Sequence, residues 1–136
     1  MKQLTAQEVV YLSKFVPEDD LRTLRFTVGW GPFWFLWWAR QGGVTWPSNG
    51  HVYLNPRVWA TFLYPQRLST LAHESWHLGQ LKRMGSLSYL IGHLAGFLRV
   101  REARLRPLEI EAYKIGDEVY LYASNPNGIL PLDRSV

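Results

Sequence analysis

Apolar residues recur at helical spacing near the start of the chain. Val9, Leu12 and Val16 follow a capping-box pattern at residues 5–8, where a threonine precedes a glutamate by three positions. This combination predicts a first helix. Pro17 marks its end, because a proline inside a helix removes a backbone hydrogen bond.

Three short stretches rich in β-branched and aromatic residues predict strands in the first half of the chain. They cover residues 24–28, 44–46 and 51–54. We also predict a helix between the first two strands. It begins near Pro32, since proline suits a first helical turn, and it ends after Arg40, where two glycines follow.

Longer helical patterns fill the second half. We predict helices at residues 66–83, 87–104 and 107–123, followed by an extended tail. The order of elements indicates an α+β fold in one domain spanning residues 1–136. A small mixed or antiparallel sheet lies in the N-terminal half of that fold, and the helices lie in the C-terminal half.

Composition supports a single packed domain. The chain has 136 residues, of which 47% are hydrophobic and 19% charged, so it can form a sizeable core. Seven Trp, seven Tyr and six Phe also suggest an apolar groove or an aromatic surface that binds a protein partner. The absence of cysteine excludes disulfides, thiolate metal ligands and cysteine nucleophiles.

The net charge of +4 is mildly basic. Four arginines between residues 99 and 106 are interpreted as a solvated face, since no nucleic-acid-binding motif accompanies them; we expect no specific nucleic-acid partner. We identify no transmembrane segment and no signal-peptide pattern. The expectation is therefore a soluble protein, with the cytoplasm as the default location.

A short motif within the predicted helix at residues 66–83 carries chemistry. His73, Glu74 and His77 form H-E-x-x-H, and helical periodicity places both imidazoles on one face, where they can bind one Zn²⁺. Glu74 lies about 100° further round the helix from His73 and is placed beside a water on the metal. The motif predicts a zinc-dependent hydrolase with Glu74 as the general base.

A catalytic zinc site needs a third protein ligand. Without cysteine, the candidates are the remaining histidines, His51 and His93, or a carboxylate in the stretch "PLEIEAY". Glu109 and Glu111 lie on different faces of the predicted helix there, so we expect only one of them to face the metal.

The motif "TLAHESWHLGQ" and the later "EIEAY" resemble the gluzincin branch of the zincin metallopeptidases. The chain is similar to small single-domain minigluzincins and also resembles bacterial zincin-like domains with the motif HExxHxxQ, whose glutamine matches Gln80. It covers roughly residues 24–122. It implies a zincin-like fold, one Zn²⁺ per chain and a polypeptide substrate cleaved by a metallopeptidase.

The resemblance also selects a third ligand. Gluzincins take it from the glutamate of a pattern E-x-x-A-D on a later helix, and aligning the alanine at Ala112 selects Glu109, with Glu111 as the alternative. The family's aspartate, which orients the first histidine, falls at Tyr113. The sequence departs from the family pattern there, because tyrosine offers no charge at neutral pH.

A catalytic site also needs a donor for the oxyanion and a place for the substrate main chain. The donor candidates, some of which could instead support a ligand, are Tyr113, Tyr120, His93 and His51. By the resemblance, substrate adds as an extended strand to the sheet edge. That edge is expected to be the stretch His51, Val52, Tyr53 and Leu54.

Two functions remain at this point. The first is a zinc-dependent hydrolase that cleaves peptide bonds. The alternative is a non-catalytic zincin-like domain, stabilised by zinc, that acts as a protein-binding module. Glu74 favours the first, since a purely structural zinc site does not need that carboxylate.

Overall fold

The computed structural model describes residues 1–36 and 41–131. Over those ranges the fold is α+β, as predicted, with six α-helices, two 3₁₀ segments and a three-stranded mixed sheet. The helices are α1 (Ala6–Leu12), α2 (Glu18–Thr23), α3 (Pro56–Thr61), α4 (Tyr64–Met84), α5 (Ser86–Arg99) and α6 (Pro107–Ala123). The strands are β1 (Phe26–Val28), β2 (Gly43–Thr45) and β3 (Val52–Leu54), and the 3₁₀ segments are Gly31–Leu36 and Ala103–Leu105.

The sheet has the order β1-β3-β2, with β1 parallel and β2 antiparallel to β3. The prediction that residues 51–54 form the sheet edge is therefore wrong. The turn at residues 47–50 folds β3 back beside β2, and the other side of β3 then pairs with β1. β3 is the central strand, and β2 is an edge.

Hydrogen-bonded and non-hydrogen-bonded residue pairs alternate between β2 and β3, and this alternation decides which backbone groups of β2 point away from the rest of the sheet. Two backbone hydrogen bonds flank the pairing: Trp46 N–H to the His51 carbonyl, and Asn55 N–H to the Gly42 carbonyl. Gly43 and Thr45 occupy the non-hydrogen-bonded positions between them, so their N–H and C=O groups point away from β3.

Helices α4 and α6 pack closely against each other and carry much of the core. The side chain of Ser69 on α4 donates a hydrogen bond of 2.7 Å to the carbonyl of Gly116 on α6. A Cβ on Gly116 would lie 3.2 Å from that hydroxyl oxygen and 3.6 Å from the Cβ of His73. A glycine at this position therefore allows the two backbones to approach each other beside the motif.

Several helix boundaries confirm the local signals. The capping box at the start of α1 is present, with reciprocal hydrogen bonds of 2.9 and 3.1 Å between Thr5 and Glu8. Gly85 ends α4 with φ +83°, a conformation that favours glycine.

The helix predicted to reach Arg104 stops at Arg99, because Val100 adopts an extended backbone, with φ −123° and ψ 115°.

Other elements differ from the prediction. α2 and α3 are short helices of six residues each and were not predicted. The sequence does contain two local signals for α3, namely a cap from Asn55 and a proline in the first turn. The helix predicted to start near Pro32 is a 3₁₀ segment as far as Leu36; residues 37–40 of that prediction lie outside the described residues, as do residues 132–136 of the predicted tail.

None of the helices in residues 1–36 and 41–131 combines the length and the apolar character needed to cross a bilayer. α5 is strongly apolar but has only 14 residues. A helix of that length is about 21 Å long, short of the roughly 30 Å of a hydrocarbon core.

The close α4–α6 contact generates a stability prediction. We expect Gly116→Leu to lower the free energy of unfolding by about 1–3 kcal/mol, because the added side chain meets Ser69 and the backbone of α4. Glu118→Leu is the matched control, since residue 118 is exposed on the same helix. Urea denaturation in the presence of a chelator measures both; equal unfolding free energies contradict the packing argument.

Candidate metal centre

Two helices bring three metal-ligating side chains to one point. His73 and His77 lie one turn apart on α4, and Glu109 lies in the first turn of α6. His73 Nε2 is 3.2 Å from Glu109 Oε2, and His77 Nε2 is 3.1 Å from Glu109 Oε1. The two Nε2 atoms are 3.1 Å apart. Tetrahedral Zn²⁺ with bonds of roughly 2 Å places its ligand atoms about 3.3 Å apart, so the three groups fit one ion.

The structure places Glu109, and not Glu111, with the histidines. The Glu109 side chain is 17% exposed and lies between both imidazoles, whereas Glu111 is exposed on the outer side of α6. Across the part of the chain that the structure describes, this is the one cluster of three such side chains with the geometry for a metal ion. Helical periodicity accounts for the selection, because two positions on a helix turn a side chain by about 200°.

The cluster perturbs the protonation of its members. Burial opposes ionisation of Glu109, but hydrogen bonds from His73 and His77 together with their charges hold the pKa of Glu109 well below its usual range. Burial also disfavours the charged form of His77. The hydrogen bond to Glu109 and the negative charges of Glu74 and Glu109 outweigh it, so the pKa of His77 is raised. Glu109 is therefore ionised at neutral pH, as a carboxylate that binds a metal ion must be.

Gln80 orients His77. Its side-chain amide donates a hydrogen bond of 2.9 Å to the backbone carbonyl of Leu108, which can only accept. The amide oxygen must then face His77 Nδ1, at 2.8 Å. His77 Nδ1 consequently carries a proton, and Nε2, which faces Glu109, is the ring nitrogen that would bind a metal ion after losing its own proton. The same glutamine ties α4 to the start of α6.

His73 has a different neighbour. The ring of Tyr113 contacts it edge to face, with centroids 4.7 Å apart, and the guanidinium of Arg104 lies 4.5 Å from the tyrosine ring centre. No hydrogen bond joins Tyr113 to His73 among the contacts of the described residues. Packing of an aromatic ring thus occupies the position at which the resemblance predicts a carboxylate.

Glu74 lies beside the cluster without joining it. It is 5% exposed, and its Oε2 accepts a hydrogen bond of 2.8 Å from the Thr45 hydroxyl on β2. The Tyr89 side chain on α5 lies near Thr45. The other oxygen, Oε1, faces Gly43, where an added Cβ would lie 3.3 Å away. The edge strand and the motif helix therefore fix this carboxylate between them.

His93 on α5 is a further polar side chain at the site. Its ring centre is 5.1 Å from that of His77, and its Nδ1 is 3.9 Å from Glu109 Oε1. Burial and the charge of His77 lower the pKa of His93 to about 4, so the ring is neutral at pH 7. His93 Nε2 is buried and has no hydrogen-bond partner within the described structure. His93 is thus an unpaired polar group next to the three ligands and not a fourth member of the cluster.

The four candidate donors differ in whether they line the cleft at the site. Tyr113 and His93 line a cleft of about 1090 Å³ that contains the three ligands and Glu74. His51 and Tyr120 do not line it. His51 Nε2 instead forms a hydrogen bond of 2.8 Å with the Thr27 hydroxyl, and its ring contacts Tyr53.

Sequence reasoning missed the residues around Glu74 on other elements, and it noticed Gln80 without its role. The hydrogen bond of Thr45 to Glu74 and the proximity of Tyr89 to Thr45 join elements far apart in the chain, and no local pattern signals them. Gln80 was noticed as a motif match, and its role had a local signal. It follows His77 by three positions, which places the two side chains on one helix face.

Comparisons of the chain with protein-family models, with curated proteins and with solved structures found no match. The residues and geometry of this chain are therefore the basis for inferring its function.

The ligand assignment leads to a direct test. Glu109→Ala is expected to weaken zinc binding by more than about 100-fold, because it removes one of three ligands. Glu111→Ala, two residues away on the same helix, should bind zinc like the unmodified protein. Competition titration with a zinc-binding dye measures both affinities, and metal analysis should give about one zinc per chain. Equal weakening by the two variants would reject the assignment.

The hydrogen bond from Gln80 to His77 yields a second prediction. Gln80→Leu should weaken zinc binding about 10- to 100-fold while leaving all three ligands in place. Gln80→Glu keeps an acceptor for His77 Nδ1 but loses the donor to Leu108. Its affinity for zinc should therefore lie between those of the unmodified protein and Gln80→Leu. An unchanged affinity in Gln80→Leu would show that the glutamine does not orient the ligand.

Proposed function

We propose that this protein is a zinc-dependent hydrolase that cleaves peptide bonds, of the zincin type that the motif resembles. One observation carries the proposal: Glu74, a carboxylate that is not a ligand, is held beside a three-ligand metal site in an open cleft. Zn²⁺, when bound, supplies a Lewis acid that lowers the pKa of a water molecule to about 7 and polarises a carbonyl group.

The donor set favours zinc and a catalytic site. Two imidazoles and one carboxylate are a common ligand set for catalytic zinc, which keeps a further position for water or substrate. Structural zinc sites are usually closed by four protein ligands. The cluster of His73, His77 and Glu109 contains three among the described residues, which supports a hydrolase over a zinc-stabilised binding module.

Glu74 is suited to move the proton in such a reaction. Its Oε2 is occupied by the Thr45 hydroxyl, which fixes the plane of the carboxylate. Its Oε1 remains for the proton that the group takes from the attacking water and then gives to the leaving amine. Since Glu74 is buried among the ligands, little solvent competes for that oxygen.

The outer edge of β2 is the proposed site for the substrate main chain. The N–H and C=O groups of Gly43 and Thr45 point away from β3, and no described strand pairs with them. An extended peptide can therefore add to this edge with main-chain hydrogen bonds. Thr45 would then contact both the substrate backbone and Glu74. This assignment moves the proposed substrate strand from residues 51–54 to β2.

His93 and Tyr113 are the proposed donors to the developing oxyanion. His93 is neutral at pH 7 and lines the cleft, and its Nδ1 is the ring nitrogen on the side of Glu109, 3.9 Å from Oε1, so a proton on Nδ1 would be placed for donation to substrate. Tyr113 is held against His73 on the α6 side of the cleft. Burial and the charge of Glu109 raise the pKa of Tyr113, so its hydroxyl keeps its proton at neutral pH.

Removing the proposed base tests the proposal. Glu74→Gln should retain one zinc per chain yet lower the rate of peptide hydrolysis at least about 100-fold, since it removes the proton acceptor and no ligand. Glu111→Gln is the matched control and should keep the full rate. A quenched fluorescent peptide library provides the assay, with a chelator-treated sample as the zero.

Two results contradict the proposal. Hydrolysis by Glu74→Gln at the rate of the unmodified protein would exclude the base. Zinc-loaded protein that cleaves none of the library would instead favour the zinc-stabilised binding module.

A further inference from the structure

The outer face of α5 is a continuous apolar stripe. Six large hydrophobic side chains on this helix are between 42% and 81% exposed: Leu87, Leu90, Ile91, Leu94, Phe97 and Leu98. Their spacing of three and four residues places them on one helix face. Tyr89, Gly92 and Gly96 lie on the inner face, and both glycines pack against the segment that begins α6.

An exposed stripe of this kind marks an interaction surface. Monomeric proteins rarely expose contiguous apolar patches larger than a few hundred Å², and larger ones mark sites for partners or membranes. α5 is too short to cross a bilayer. A short helix with one apolar face can instead lie along the interface between headgroups and acyl chains.

The charges around the stripe are positive. The sequence has no acidic residue between Glu74 and Glu102, and Lys82, Arg83, Arg99 and Arg101 lie within that interval. Lys82 is engaged with acidic side chains on α2. Arg99 and Arg101, at the end of α5, are exposed and form no ion pair with any described residue. An anionic surface complements this combination of apolar face and unpaired guanidinium groups.

We propose that α5 docks the protein on an anionic lipid bilayer. Leu94 and Leu98 enter the interface with the rest of the stripe, and Arg99 and Arg101 contact the lipid phosphates. An exposed apolar helix face beside unpaired guanidinium groups suits an anionic bilayer, because lipids adapt to its shape, whereas a protein partner must offer a matching groove. Binding to vesicles requires neither zinc nor hydrolysis, so this proposal does not depend on the proposed function.

Docking would also orient the cleft. Leu87, Leu90 and Phe97 belong to the stripe and line the cleft as well. With α5 on the bilayer, the cleft opens directly beside the lipid surface. If the protein is a peptidase, as proposed above, its substrates are then polypeptide segments at that surface; this consequence alone rests on the proposed function.

Vesicle sedimentation tests the docking. The full chain should sediment with phosphatidylcholine vesicles containing phosphatidylglycerol, bind phosphatidylcholine alone more weakly, and dissociate as salt rises. Leu94→Glu/Leu98→Glu should weaken binding at least about tenfold, because burial of two leucines is lost. Leu121→Glu/Ile129→Glu makes the same charge change at exposed positions outside α5 and should bind normally.

A second variant keeps the test decisive if the first does not fold. Arg99→Gln/Arg101→Gln should weaken binding to the phosphatidylglycerol vesicles by about fivefold per arginine and leave binding to phosphatidylcholine unchanged. Circular dichroism checks the fold of each variant.

Three results would overturn the proposal. The first is no binding of the unmodified protein at low salt. The second is equal binding by the α5 and control variants. The third is an unmodified protein that is a dimer in light scattering and does not bind vesicles, together with a Leu94→Glu/Leu98→Glu variant that is a monomer. That result would identify the stripe as a contact between two copies.

Discussion

The packing of α6 against α4 is the constraint on which the site depends. Helical periodicity alone aligns His73 and His77, but their ligand partner comes from a helix that is distant in sequence. Glu109 reaches them only because α6 approaches α4 closely along its length, and Gly116 permits that approach beside Ser69. The bond from Gln80 to the Leu108 carbonyl then fixes the start of α6, one residue before the ligand. The same contact thus sets the helix packing and the geometry of the candidate metal site.

This arrangement concentrates negative charge where a cation can bind. Glu74 and Glu109 lie around two imidazoles in a mostly buried site, and each carboxylate has its own support. Glu109 is stabilised by the histidines, and Glu74 by the Thr45 hydroxyl. Because the two carboxylates have different partners, they can take different roles, one binding the ion and the other handling a proton. The difference arises because helix α4 supplies the hydrogen bonds to Glu109, whereas strand β2 supplies the hydrogen bond to Glu74.

The sequence predicted what local periodicity determines. The positions of His73 and His77 on one face, the separation of Glu109 from Glu111 and the capping box of α1 all follow from 3.6 residues per turn and local hydrogen bonding. Sheet order is different, because a hairpin signal pairs β2 with β3 without saying which of the two meets β1. The same holds for Thr45, whose contact with Glu74 requires knowing where the edge strand passes over α4. Contacts between distant elements lie outside the reach of local patterns.

α5 connects the site to the molecular surface. Its inner face carries His93 and Tyr89, which contact the ligands and the residue that supports Glu74. Its outer face carries the apolar stripe, and Phe97 belongs to both the stripe and the cleft. A shift of this helix relative to α4 would therefore move His93 and the cleft wall together, because one rigid helix carries both. Any surface that holds the outer face of α5 also restrains the side chains on its inner face, because both faces belong to the same helix.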